Sequence, residues 1–401
     1  MSGSGRRWLW VYAYAVGELG VAELLLQPLL ERCPELGLLF IVGKGNYHSA
    51  YQARFPLCET WNIDPCGTSE IERMAVQCPP AALLIIEMPC FLWEAPCRFP
   101  FSVVERAKAA GAFVAVINGW LYEAQPSCRM DRLEKRWFGK AYLRHVDRFL
   151  VQNDNVRNRL LAAGVDLARI AVTGNIKFDA GAMVTTGTAS NVPTRVSAAL
   201  KKLGSVVIVA GSVQDIDEQT LVLDAFMELL ATYPEAVLIV APRYPEQHER
   251  RICLEAMLAQ RRLIYVYRST ESSEWPARTQ VIVLDTMGEL RDCYAIASVA
   301  YVGRNHSVLE PLLFAKPVFV TGGWQARYPS YPVNRCLVDS GIVIETETAI
   351  ALCEAWTDAL ASPSAERGAL VDCALAELAG ARARTLEILF NCGPFAEIGH
   401  A

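Results

Sequence analysis

No apolar run in this 401-residue chain comes near the ~18–20 residues needed to span a bilayer; the longest, Trp8–Val16, has nine. That excludes a membrane-spanning helix. An excess of positive charge is also missing, since 38 Lys and Arg face 43 Asp and Glu, for a net charge of −5. Such a balance argues against a nucleic-acid partner. The 13 cysteines form no C-x-x-C pair, so neither a disulfide framework nor a zinc site is expected. Reduced thiols and a cytoplasmic setting are. There is no short-period repeat and no low-complexity tract. What is present is ordinary globular material, 52% hydrophobic and 20% charged, in a chain too long for one core. Two domains are expected.

The N-terminus imitates a secretory signal, with Arg6-Arg7 before an apolar stretch and Ala13-Tyr14-Ala15 after it. The stretch itself is aromatic and β-branched, which suits a buried strand. From there, short apolar runs alternate with longer 3.6-periodic segments. Strands are expected at Leu9–Ala15, Leu38–Val42, Ala82–Glu87, Phe113–Ile117, Arg148–Val151 and Ile170–Val172. A second series follows at Val206–Ala210, Ala236–Val240, Leu263–Val266, Val281–Leu284, Val299–Val302 and Pro317–Val320. Continuous apolar strands between amphipathic helices imply α/β domains whose parallel sheets are covered on both faces. The expected division is a domain over 1–180, a Gly-, Ala-, Thr- and Ser-rich linker over 181–198, and a second domain over 199–370. Residues 371–401 would form a helix closing back toward the first domain, part of one long helix running to Phe390.

Parallel sheets bind ligands at the carboxyl ends of their strands, so the polar residues there are the candidates. Glu18 follows the first strand, before a helix beginning near Gly20. It could take a proton from a hydroxyl, or simply be an acid favoured by a helix N-terminus. Ala210-Gly211-Ser212 precedes a helix whose free N–H groups suit an anion. Asp215-Ile216-Asp217 imitates a metal-binding D-x-D, yet it opens that helix and reads better as capping. Arg243 could pair with a phosphate or form an exposed ion pair. In His306-Ser307-Val308-Leu309-Glu310-Pro311, the glutamate could bind vicinal ribose hydroxyls. His306 could donate to a phosphate or carboxylate, or be structural.

Several segments, in order, resemble the 3-deoxy-D-manno-oct-2-ulosonic acid (Kdo) transferases. They are Ala15-Val16-Gly17-Glu18, Ile86-Glu87, Val116-Ile117-Asn118, Val151-Gln152-Asn153, Thr173-Gly174-Asn175-Ile176-Lys177-Phe178-Asp179 and Ala210-Gly211-Ser212. Ala241-Pro242-Arg243-Tyr244-Pro245, Asp285-Thr286-Met287-Gly288-Glu289-Leu290 and His306–Pro311 complete the set. The resemblance implies a GT-B fold, with two Rossmann-like doubly wound domains facing a cleft, an architecture that UDP-sugar epimerases share. It further implies an inverting, metal-independent transfer from a CMP-sugar substrate, with no cofactor. Glu18 falls on the family's general base. Gly17, Glu87 and Asn118 fall on the acceptor side, where Lys44 would be a new polar group with His48 nearby. Ser212, Arg243, Met287, Gly288, Glu289, His306, Ser307 and Glu310 fall on segments around the nucleotide sugar.

The sequence also departs from the family pattern. Ser307 replaces an asparagine, Gly119-Trp120-Leu121-Tyr122 replaces an Ala-Arg-Leu-Ser pattern, and Met88–Trp93 loses a second cleft glutamate. No counterpart of the family's N-terminal apolar anchor is expected. The expected partners are therefore a CMP-activated ulosonic acid as donor and a glycolipid or soluble glycan as acceptor. The segment Arg129–Arg148, basic with Trp137, Phe138 and Tyr142 interleaved, reads equally well as a peripheral contact at the inner face of the membrane and as an exposed ion-paired helix. Another nucleotide sugar as donor, or a non-catalytic binding role, stand as alternatives.

Overall fold

The computed structural model describes residues 6–13, 16–42, 48–63, 68–87, 91, 100–121, 129–180, 206–270, 278–286, 289–326, 328, 330–362 and 364–396. The expected linker over 181–198 lies outside them. The chain forms two compact units, one of Met1–Ala182 with Leu378–Ala401 and the other of Met183–Glu377.

The first unit is built on seven parallel strands: β1 (Trp8–Tyr12), β2 (Gly37–Val42), β3 (Glu59–Asn62), β4 (Pro80–Ile86), β5 (Phe113–Gly119), β6 (Arg148–Val151) and β7 (Ile170–Val172). They lie in the order β3-β2-β1-β4-β5-β6-β7, which reverses direction between β1 and β4. Alternate side chains of each strand enter opposite layers. Trp10, Tyr12, Leu83, Ile85, Val114 and Val116 pack against Phe101, Val104 and Tyr142 from helices on one face. Leu9, Val11, Phe40, Leu84, Ile86 and Ile117 pack against Leu25 and Leu29 on the other. Burial on both sides is why these strands read as unbroken apolar runs.

The second unit repeats the plan with β8 (Val207–Val213), β9 (Val237–Pro242), β10 (Tyr265–Tyr267), β11 (Val281–Val283), β12 (Val299–Val302), β13 (Val318–Val320) and β14 (Val343–Glu345). The order is β10-β11-β9-β8-β12-β13-β14, all parallel, with the reversal between β8 and β12. Edge strands β3 and β14 carry no continuous apolar run, being only partly buried, and nothing in the sequence pattern announces them.

Three expectations are corrected. β1 ends at Tyr12, and the following helix begins at Val16 rather than near Gly20, so Glu18 sits inside a first helical turn. Strand β8 runs on through Gly211 and Ser212 to Val213. The expected single C-terminal helix is two, Ser364–Leu378 in the second unit and Ala381–Phe390 in the first. The break is at Gly380, whose φ of +90° lies in the left-handed region open to glycine. The Asp179 carboxylate starts the new helix by accepting from the backbone N–H of Gly380 (2.5 Å) and Arg382 (2.6 Å). Arg382 and Arg384 then donate to the carbonyls of Leu24 and Thr173, binding the helix to the first unit.

Among the described residues, nine cysteines are free thiols, and burial pushes the Cys293 thiol up to about 12. No helix among those residues is long and apolar enough to cross a membrane.

Candidate functional site

In the first unit the polar residues gather where β4, β5, β6 and β7 end side by side. Glu87 follows β4 directly and is 1% exposed. Its Oε1 accepts from Asn118 Nδ2 at 2.7 Å, and Lys177 Nζ lies 2.9 Å from its Oε2. Asn118 also donates to Asn175 Oδ1 (3.1 Å), and its own Oδ1 accepts from the backbone N–H of Ile176 (3.0 Å). Gln152, after β6, donates to the Asn118 carbonyl and accepts from Asn175 Nδ2. Glu87 and Asn118 hold φ values of +52° and +55°, which non-glycine residues adopt at a cost repaid by their surroundings. Here the buried network repays it.

The structure thus joins two residues expected from the sequence, Glu87 and Asn118, to three that were not singled out: Gln152, Asn175 and Lys177. The missed residues lie within the quoted segments Val151–Asn153 and Thr173–Asp179, directly after strands. That position was the available signal. Glu18 is half-buried in the first turn of Val16–Arg32, beside the reversal after β1, with interactions of its own. Gly17 precedes it in the same turn. Lys44 lies outside the described residues. His48 begins the helix His48–Arg54 and bonds to the Thr60 hydroxyl on β3, so its ring is engaged within the fold.

In the second unit the corresponding set lies at the reversal between β8 and β12. Ser212 takes φ +58° at the end of β8. A Cβ on Gly303, which follows β12, would stand 2.3 Å from the Ser212 carbonyl oxygen, and one on Gly211 would stand 1.9 Å from the Tyr294 hydroxyl. Both glycines are thus fixed by close approach. Arg243, after β9, donates to Gln214 Oε1 at 2.8 Å, with Tyr244 and Tyr328 rings 5.0 and 6.0 Å from its guanidinium carbon. His306 is largely buried, and its Nε2 has no hydrogen-bond partner among the described residues. Burial, with the Arg243 charge adding to it, pulls its pKa down to about 4. Burial also raises the Glu310 carboxyl above its ordinary range, Arg291 opposing. Ser307 is half-buried in the same loop. Glu289 is already engaged, 3.1 Å from Arg268 and accepting from the Thr286 hydroxyl at 2.6 Å. Met287 and Gly288 lie outside the described residues.

The Asp215-Ile216-Asp217 reading needs revision. Asp215 occupies the cap position of Ile216–Thr232 but makes no capping hydrogen bond. Both carboxylates instead meet Arg304, at 3.5 Å for Asp215 and 2.8 Å for Asp217. Next to them Glu218 is fully buried, accepting from the Arg304 backbone N–H (2.8 Å) and the Tyr301 hydroxyl (3.3 Å). These acids anchor the Gly303–Ser307 loop.

Two parallel-sheet α/β units, each with polar residues at the strand ends beside its reversal, define the GT-B class. A glycosyltransferase from Rickettsia africae shares that fold, with a TM-score of 0.62 at 11% identity over 99% of this chain and all of that one. Residues 2–180 match the family described as 3-Deoxy-D-manno-octulosonic-acid transferase (kdotransferase). The 3-deoxy-D-manno-octulosonic acid transferase of Chlamydophila psittaci is 28% identical over 318 residues, 77% of this chain and 68% of that protein. Its counterpart in Bordetella pertussis is 26% identical over 404 residues, 95% of this chain and 86% of that protein. The chain is thus similar to the Kdo transferases, by the family model over its first 180 residues and by these relatives over most of its length.

Proposed function

We propose that the protein transfers a ulosonic acid, Kdo or a near relative, from its CMP derivative to an acceptor hydroxyl with inversion and without a metal. The observation that carries this reading is the placement of the family segments. Their polar residues stand at the strand ends beside both reversals, with Glu87, Asn118 and Ser212 in left-handed backbone. Glu18 takes the acceptor proton, its carboxylate favoured at the positive end of its helix. The freed oxygen attacks the anomeric carbon as the bond to the CMP phosphate breaks. Arg243 and the N–H groups after Ser212 receive the charge that develops on that phosphate. Glu310 holds the ribose hydroxyls, and the Glu87–Lys177 network orients the acceptor. His306, with its unpaired Nε2, is available to the donor sugar or its phosphate.

The acceptor is a glycan, on a lipid or free. The helix Arg129–His145 exposes Trp137 and Phe138 beside Arg136 and Lys140, which supports contact with anionic headgroups. Cosedimentation with phosphatidylglycerol vesicles that is unaltered by W137A/F138A would remove that contact.

The deciding experiment is Glu18→Gln with donor and acceptor both saturating. Loss of a general base lowers kcat by about 10²–10⁴-fold; full turnover in the variant sinks the assignment. Titration with CMP, UDP and GDP tests the donor, because a ligand specific to the folded state raises the thermal midpoint. A response to UDP or GDP alone would indicate a different nucleotide sugar. No response to any of the three, with no transfer activity, would indicate a non-catalytic role.

A further inference from the structure

At the opposite end of the second sheet, where the strands begin, the protein has a cavity of about 560 Å³. Val206, Ser298 and Pro317 line it just before β8, β12 and β13, and Tyr233, Phe314 and Lys316 complete the surface that matters. This end of the strands carries none of the residues assigned above. The volume is within the range of small-molecule sites, and although most of the lining residues are apolar types, the surface they present is mixed, somewhat more polar than apolar.

Lys316 is the one charged side chain among the described lining residues. It is half-buried, and its ammonium makes no ion pair or hydrogen bond among the described residues. A surface lysine ordinarily lays its stem on the protein and puts its charge in water. Here desolvation instead lowers its pKa from the ordinary value, with no carboxylate among the described residues opposing it. The preceding Ala315 has φ +53°, a conformation that an alanine adopts only where the surroundings hold it. A cavity of mixed lining, with apolar side chains such as Val206, Phe314 and Pro317 and a poorly solvated cation at its wall, is complementary to a molecule that brings both an apolar body and a negative charge.

We infer that this cavity is a binding site for a small organic anion, a carboxylate or sulfonate on an apolar body, held by Lys316. The inference is independent of the transferase reading, because the site stands at the other end of the strands and involves none of the proposed catalytic residues.

Fluorescence titration of the full chain with 8-anilinonaphthalene-1-sulfonate tests it, with octanoate as competitor and octanol as the uncharged control. The expected result is saturable binding displaced by octanoate and not by octanol. Lys316→Met should weaken it about tenfold, the loss of one charge-assisted contact, while Lys316→Arg should retain it. Unchanged affinity in Lys316→Met, or displacement by octanol as effective as by octanoate, overturns the proposal. A second measurement needs no variant. Octanoate should slow acetylation of Lys316 by acetic anhydride several-fold, read by mass spectrometry, and leave exposed Lys140 unaffected. Equal rates at Lys316 with and without octanoate also overturn it.

Discussion

Glu87 and Lys177 are separated by 2.9 Å, and only the lysine has appreciable contact with solvent, at 22% against 1%. Removing the cation alone therefore leaves a buried carboxylate without its counter-charge, while Asn118 still donates to it. Lys177→Met should cost about 3 kcal/mol in urea denaturation, the scale for breaking a buried pair from one side. Adding Glu87→Gln should recover part of it, because the stranded charge is gone. A single variant as stable as the parent would show that the pair does not hold the strand ends. His306 gives a residue-scale test with a sign. Its folded pKa of about 4 lies below the ordinary 6.5, so between those values the unfolded chain binds a proton that the folded chain refuses. The contribution is intact above pH 6.5 and is lost as pH falls toward 4, by at most about 3 kcal/mol. Glu218, raised by burial, acts in the opposite sense. The difference between the parent and His306→Gln, followed by denaturation at several pH values, isolates the histidine. A flat difference curve would contradict the buried neutral ring.

Elements place these residues where a single sequence can show them only in part. Strands β1, β2, β4, β5, β8, β9 and β12 were legible because burial on both faces leaves no polar position to break the run, and Glu87 stood out as the polar residue that ends one. Lys177 did not. Its meaning depends on β4 through β7 lying side by side, and the polar turn after a three-residue strand looks like any other. Glu218 was hidden similarly, since an acid in a first helical turn reads as capping until the Arg304 backbone, 86 residues further on, is seen against it. The close approaches at β8 and β12 were equally invisible. Gly211 was read from the sequence only as part of the run leading to an anion-binding helix start, yet Tyr294 fills the space its Cβ would take. Gly211→Ala should destabilise the second unit by about 1–3 kcal/mol through overpacking, and Tyr294→Phe in that background should restore part of the loss. Thermal unfolding of the two variants measures this, and an unperturbed single variant would refute the close approach.

For the whole molecule, the consequential feature is that the chain leaves the first unit near Ala182 and returns to it from Leu378. The first unit therefore cannot be complete until the residues that return to it have been made. Ala381, Leu386, Leu389 and Phe395 lie in the same buried layer as Leu9, Val11 and Phe40. At ~1.5–3 kcal/mol for each of the three large side chains, that return contributes about 5–9 kcal/mol. Whole-domain stability is only ~5–15 kcal/mol, so the returning helix decides whether the first sheet stays folded. The expected behaviour of a chain ending at Leu378 follows from this comparison. Hydrogen exchange should show protection lost across β1, β4 and β5, which the helix covers or adjoins, while β8, β9 and β12 keep theirs, their layer being closed by Ile216–Thr232 and Ala349–Ala361. CMP should still stabilise the second unit if the donor residues are those proposed, even though transfer is abolished. Full protection of β1 in the shortened chain would mean that the first sheet is self-sufficient, and that Asp179, with the helix it caps, serves something other than stability.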